Sequence, residues 1–292
     1  DKSGETVTCR YARAKDGSVG ILPEILTELL NARAETRRQQ ANEKNPFVWK
    51  VLEGLQLAYK ITANSLYGQC GAPTSPIYKK DIAASTTSTG REMLNAARIL
   101  VEVIFKTLVD NILNKTYEDY VEKIELLFAK KIDEMIGEEN VKILKQHREG
   151  EEFPRYKYLE TFTHNRTVID DKKFIDKKLG HETKKNFIDW LYEKIKALLS
   201  GKVITPRIIY GDTDSVFIKY RIANKETPND YLTTKEALEI SIQLASLCST
   251  ILAKILPEPH NMEYEKTFHP FIILTKKRYV GNKYESDPNK FY

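Results

Sequence analysis

At 292 residues the chain is long enough to bury a substantial core in one to three domains. Its 46 basic residues against 41 acidic ones, a net charge of +5, permit a polyanionic partner without demanding one. Three scattered cysteines, Cys9, Cys70 and Cys248, lack metal-ligand spacing, which argues for reduced thiols in an intracellular protein and against structural zinc.

In chain order, Gly20-Ile21-Leu22-Pro23 leads into Ile25, Leu26, Leu29 and Leu30, a helical period that predicts a helix running through Arg33, Arg37 and Arg38 to about Gln40. Asn42 to Pro46 reads as a turn, because Pro46 and the residue before it resist helix. A second helix is predicted from about Phe47 to Leu66, making an antiparallel α-hairpin, with Gly68, Gly71, Pro73 and Pro76 then breaking the chain. A third helix follows from about Asp81 to Lys106. Residues 107–200 are the least legible: Tyr117, Val121, Ile124, Phe128 and Met135 predict one helix, and Phe187, Trp190, Leu191, Ile195 and Leu198 another, ended by Gly201. Between them runs a Lys/Asp-rich stretch, Asp170 to Lys178. Val203 to Tyr210 and Ser215 to Tyr220 are β-rich and predict a hairpin, Thr233 to Leu256 a long amphipathic helix, and Phe271 to Leu274 and Tyr279 to Val280 two further strands. Helices followed by strands mixed with helices make the fold class α+β. No apolar run of membrane-spanning length and no signal peptide is legible, so no membrane partner is expected. The chain starts at Asp1 without a methionine and closes on a polar stretch, which reads as a fragment.

The chemistry is concentrated in a few segments. In Tyr210-Gly211-Asp212-Thr213-Asp214-Ser215 two carboxylates stand one residue apart, so strand alternation would point both the same way. They repel unless a cation lies between them, and hard oxygen ligands favour Mg²⁺, which often completes its shell with phosphates. In the second helix Lys60, Asn64 and Tyr67, four and three apart, share a face that could meet a triphosphate, or could simply be solvated. Arg33 and Arg37 share a face of the first helix, fit for phosphate or for a mixed charged surface with Glu35 and Arg38. If the hairpin aims Arg33, Arg37 and Lys60 at one point, its closing would act as a lid. Lys276-Lys277-Arg278-Tyr279 would alternate on a strand, with Lys277 and Tyr279 on one face, either gripping a nucleic-acid phosphate or lying as plain surface. Glu263 and Glu265 repeat the one-apart spacing, with a salt bridge to a basic neighbour as the alternative to a place near the metal. His164-Asn165 and His260-Asn261 are isolated, and no nucleophile elbow, Walker lysine loop or dinucleotide fingerprint appears.

Together these segments resemble family B DNA polymerases. Lys60-Ile-Thr-Ala-Asn64-Ser65-Leu-Tyr67-Gly68 is similar to the family's fingers motif, Tyr210 to Ser215 to its palm motif, and Lys276 to Tyr279 to its primer-contacting motif. Gly20 to Pro23 with Asn31-Ala32-Arg33 resembles the start of the fingers hairpin, and all four occur in the family's order. The resemblance covers about residues 18–106 and 201–292. It implies a palm lead-in at 1–20, a fingers hairpin at 21–67, palm at 68–106, a mostly helical insertion at 107–200, and palm again at 201–292.

The resemblance also implies roles. Asp214 would bind both of two catalytic Mg²⁺ ions, with Asp212 close by. Arg33, Arg37 and Lys60 would hold the phosphates of the incoming dNTP, Asn64 would support that site, and Tyr67 would stack near the nascent pair. Gly68, Lys276, Lys277, Arg278 and Tyr279 would contact primer–template DNA, and Glu265 would lie near the metals. The reaction would be in-line attack of the primer 3′-hydroxyl on the α-phosphate. The palm motif ending in Tyr-Pro-Ser is not found here, nor are an exonuclease or a thumb, so the chain by itself is expected to be inactive. The long gap between Asn64 and Asp212 resembles polymerases of giant DNA viruses, and a processivity factor is a candidate partner of its Lys-rich middle. The site of action would be the host nucleus or a cytoplasmic viral replication site. Alternatives are a non-catalytic nucleic-acid-binding relative and, with less to explain Lys60–Gly68, a polymerase of reverse-transcriptase type.

Overall fold

The computed structural model describes residues 8–11, 14–146, 169–176, 179–256 and 261–291. His164, Asn165 and His260, together with Lys177 and Lys178 of the Lys/Asp-rich stretch, lie outside them. The described residues mix helices with three two-stranded antiparallel ladders, an α+β architecture as the sequence predicts. The chain divides into two compact units, Asp1–Thr89 and Gly90–Tyr292.

The first unit is built on an α-hairpin. Helix α1 spans Ile21–Asn42 and α2 Pro46–Gly71. Pro46 opens α2 where its missing N–H costs nothing, and Asn45 caps it by accepting from the N–H groups of Phe47 and Val48. Leu22, Leu26, Leu29, Arg33, Thr36 and Gln40 form the half-buried stripe of α1, and Leu52, Gln56, Tyr59, Ala63, Leu66 and Cys70 that of α2. Steps of three and four keep each stripe on one side of its helix. Across the seam Arg33 Nε donates to Gln56 Oε1 at 3.2 Å and Gln40 Nε2 to Glu53 Oε2 at 2.6 Å. Helix α2 runs through Gly68, which the sequence reading places in a break; burial of Cys70 outweighs the roughly 1 kcal/mol that a helical glycine costs. The break comes at Ala72, and the Lys79 N–H closes it by donating to the carbonyl of Cys70 at 2.9 Å.

Helix α3 (Lys80–Ile99) carries the chain into the second unit and continues without interruption through a π-helical turn, Leu100–Phe105, into α4 (Lys106–Asn114). The predicted end at Lys106 is therefore eight residues early. The buried residues Ala96, Ala97, Leu100, Val101, Ile104, Phe105, Leu108, Val109 and Ile112 recur every four positions. On a 3.6-residue helix such a repeat drifts by about 40° per step. A π turn winds less per residue and takes up part of that drift, keeping the stripe against the core.

Next come α5 (Tyr117–Phe128), α6 (Ile132–Ile136), α7 (Glu138–Lys145), a 3₁₀ turn (Asp171–Phe174) and α8 (Lys184–Leu198). The helix predicted through Met135 is broken at Lys130, whose φ is +57°. Thr116 caps α5 in a reciprocal box with Asp119. Helix α9 (Lys235–Ile255) packs against α5, α8, the π turn and β5 (Thr267–Thr275). One hydrophobic cluster runs from Ile99 to Leu256 and takes in α4, α5, α8 and α9, so the helices described between residues 107 and 200 share the core of the residues that follow them. By length and composition α9 could cross a membrane, which corrects the expectation that no run is long enough. Ten of its side chains are instead buried, eight of them, among them Leu244, Cys248 and Leu252, in this core, which accounts for its composition.

The ladders pair β1 (Lys202–Ile204) with β4 (Ile222–Asn224), β2 (Arg207–Asp212) with β3 (Ser215–Lys219), and β5 with β6 (Arg278–Tyr284). The predicted strand Val203–Tyr210 is split in two, since Pro206 can donate no ladder bond. At Gly281, opposite Phe271, a Cβ would stand 2.3 Å from the Pro270 carbonyl oxygen. Gly281→Ala is therefore expected to cost about 1–3 kcal/mol, read as a lower melting temperature and faster amide exchange across residues 267–284.

Candidate active site

In the first unit the stripe residues leave Lys60, Asn64 and Tyr67 one position further round α2, all three exposed. The Tyr67 hydroxyl is fixed between the Ala83 carbonyl at 3.1 Å and Thr87 Oγ1 at 2.9 Å, both on α3. Arg37 is exposed, whereas Arg33 is half-buried and engaged with Gln56, one turn of α2 before Lys60. The alternative of a mixed charged surface is realised in part, as Arg38 pairs with Glu35 at 2.8 Å. Gly68 is exposed, with nothing near the position of a side chain.

The second unit holds the carboxylates. On β2 burial alternates, so Ile208, Tyr210 and Asp212 share the covered face. Asp212 pairs with Ser215, which puts Thr213 and Asp214 in a two-residue turn. Asp214 thus reaches its place through the turn and not by strand alternation. Thr213 has φ +53°, unusual for a β-branched residue, and the Asp214 N–H donates to the Asp212 carbonyl at 2.6 Å. Thr213 Oγ1 donates to Asp212 Oδ1 at 3.0 Å, and Ser215 Oγ to the Asp212 carbonyl at 3.2 Å.

The basic run supplies the other side. Thr275 pairs with Arg278, so Lys276 and Lys277 are the turn between β5 and β6, and the alternation predicted for this run does not apply to them. Lys277 has φ +64°, and its N–H donates to Tyr210 Oη at 2.8 Å. Its Nζ stands 3.2 Å from Asp212 Oδ1. Beneath the two turns lies an aromatic cluster: Phe217 is 5.5 Å from Tyr210, 5.3 Å from Phe271 and 5.1 Å from Tyr279, centroid to centroid. Such offset and edge-on pairs join the β2–β3 hairpin to the β5–β6 hairpin. The Tyr210–Phe217 pair follows from the register of a two-residue turn and was within reach of sequence reasoning. The contacts of Phe217 with Phe268 and Phe271, and the part of the Tyr210 hydroxyl, were not.

Asp212 and Lys277 are 29% and 70% exposed as side chains, so their ion pair contributes no more than about 1 kcal/mol and is easily exchanged. The lysine ammonium shows that the Asp212 carboxylate accepts a cation. Two aspartate carboxylates on one turn are hard donors suited to Mg²⁺, with water and phosphate left to fill the shell. Glu265 is exposed and pairs with Lys266 at 2.8 Å, the salt-bridge alternative raised by its sequence. Among the described residues no group of three or more His, Cys, Asp or Glu comes together as a metal cluster.

Fold and site define an α+β protein in which an acidic hairpin turn meets a basic one, an arrangement able to hold a cation beside an anionic ligand. The sequence profile of DNA polymerase family B matches residues 4–136 and 153–291. The chain belongs to DNA polymerase family B. It is 30% identical over 97% of its length to a DNA polymerase of Pyramimonas orientalis virus, and 46% identical over 92% to one of Phaeocystis pouchetii virus. A DNA polymerase delta catalytic subunit of Dictyostelium discoideum is 26% identical over 91% of the chain. The chain spans less than a fifth of the length of these relatives, 19%, 18% and 15% respectively.

Proposed function

We propose that this chain carries part of the catalytic core of a DNA-directed DNA polymerase acting in DNA replication. In this reading residues 21–67 are the fingers hairpin, residues 68–106 and 201–292 belong to the palm, and 107–200 are an insertion. The observation that carries it is the meeting of Lys277 with Asp212 and Tyr210, which joins the basic turn to the acidic one across 67 residues of sequence.

Asp214 and Asp212 would hold two magnesium ions, which when bound activate the primer 3′-hydroxyl and neutralise charge on the phosphates. Lys277, freed from Asp212 by a competing cation, has the reach of a flexible side chain to take a primer phosphate instead. Lys276, Arg278 and Tyr279 flank it on the same hairpin and would share the primer–template contact, with Gly68 lying against DNA from α2. Arg37 and Lys60 have exposed charges for a triphosphate, and Arg33 is oriented by Gln56 for the same task. Asn64 and Tyr67 complete that face, with the Tyr67 ring anchored through its hydroxyl on α3. Glu265, outside the acidic turn, is assigned to the neighbourhood of the metals. The relatives' names include viral DNA polymerases, which fits replication inside a host cell, in its nucleus or at a viral replication site, with a processivity factor as a further partner.

The intact protein, given primed DNA, four dNTPs and Mg²⁺, is expected to extend the primer in the order the template dictates. Binding of primed DNA without any extension would favour the non-catalytic relative and overturn the proposal.

A further inference from the structure

The strand that delivers Asp212 is held near its other end by a carboxylate from far away in the chain. Glu102, in the π turn, accepts the backbone N–H of Ile208 through Oε1 at 2.9 Å, across 106 residues of sequence. Its Oε2 lies 3.2 Å from Arg98 Nε, four residues earlier. The Glu102 side chain is only 11% exposed. Its neighbours Val101, Ile104 and Phe105 are fully buried, so the backbone that carries it is fixed in the core.

The place of this contact matters. The pairing of β2 with β3 shifts register between Ile208 and Tyr210, leaving Ile209 as the extra residue. An irregularity of this kind bends a strand and re-aims the side chains beyond it. Here those are Tyr210, which receives the Lys277 amide, and Asp212. A bond to a paired carboxylate is shorter and stronger than one to a neutral acceptor, and a half-buried amide deprived of it would have to move to find another.

We infer that Glu102 is a positioning residue for the acidic hairpin: by holding Ile208 at the irregularity it sets where β2 bends, and so where Asp212 and Asp214 stand. Arg98 holds the Glu102 rotamer. Glu102 itself touches no substrate. The inference rests on reading Asp212 and Asp214 as the carboxylates of the reacting centre.

The test uses the intact protein in single-turnover primer extension, with hydrogen exchange measured alongside. Glu102→Gln keeps an acceptor oxygen at the same reach, Glu102→Met removes it, and Glu102→Asp keeps the charge but falls one methylene short. Met and Asp are expected to lower the maximal rate by about tenfold or more through a misplacement of well under an ångström to an ångström, at little-changed apparent dNTP affinity. Exchange across residues 207–214 rises in both while that of α8 and α9 holds. Gln is expected to restore the rate to within a few-fold. Should the Met variant not fold, the Asp variant decides. The inference is overturned if Met and Asp extend at the parental rate, if Gln falls as far as Met, or if exchange rises in α8 and α9 together with the hairpin. Asp214→Asn, run in parallel, separates the two readings: full extension by that variant removes the proposed function itself and this inference with it.

Discussion

In the intact protein Asp214→Asn is expected to slow template-directed nucleotide incorporation by roughly 10²- to 10³-fold, with primer–template affinity little changed. Asparagine keeps the shape of the turn and the backbone bond from Asp214 N–H to the Asp212 carbonyl, but gives up an anionic oxygen. The remaining carboxylate, Asp212, is the one already engaged by Thr213 and Lys277, so it cannot substitute without losing a partner. Single-turnover extension on primed DNA measures the rate, and fluorescence anisotropy of labelled primer–template the affinity. Undiminished extension by the variant would refute the assignment of this carboxylate to the reacting centre.

Phe105→Ala is expected to destabilise the second unit by about 3–5 kcal/mol. Phe105 is 1% exposed and meets Tyr220 edge-on at 6.3 Å. Tyr220 directly follows β3, so the ring supports the base of the acidic hairpin as well as the π turn. The loss would appear in a thermal melt as a fall of the midpoint on the order of 10 °C. A shift of a degree or two would mean that the π turn refills the space at small cost. The two substitutions differ in kind: the first leaves the fold and removes chemistry, the second leaves the chemistry and loosens its support.

Much of this was legible in order along the chain. The helical period of α1 was visible at Leu26 and Leu29, although Ile25 and Leu30, read with them, are exposed, and the turn read at Asn42 to Pro46 falls where α1 gives way to α2, because proline chemistry is local. The end of α2 was not, since the pull on Cys70 comes from the residues packed around it. The α3–π–α4 helix looked shorter than it is, because a repeat of four drifts off one face of a regular helix and stays on it only where the π turn takes up the drift. At the site, Asp212, Asp214 and Lys277 stood out by residue type and spacing. Their approach did not, because both turns rely on left-handed backbone at Thr213 and Lys277, residues that give no such signal.

The sequence by itself determined the α+β class, the family and the residue types at the hairpin turns, for these depend on composition, periodicity and short motifs. Only the tertiary structure decided which charge meets which. The 3.2 Å between Lys277 and Asp212 and the Glu102 carboxylate on Ile208 join segments 65 and 106 residues apart, and such contacts arise from packing shared by distant elements. Local rules for helix, strand and turn contain no term for them.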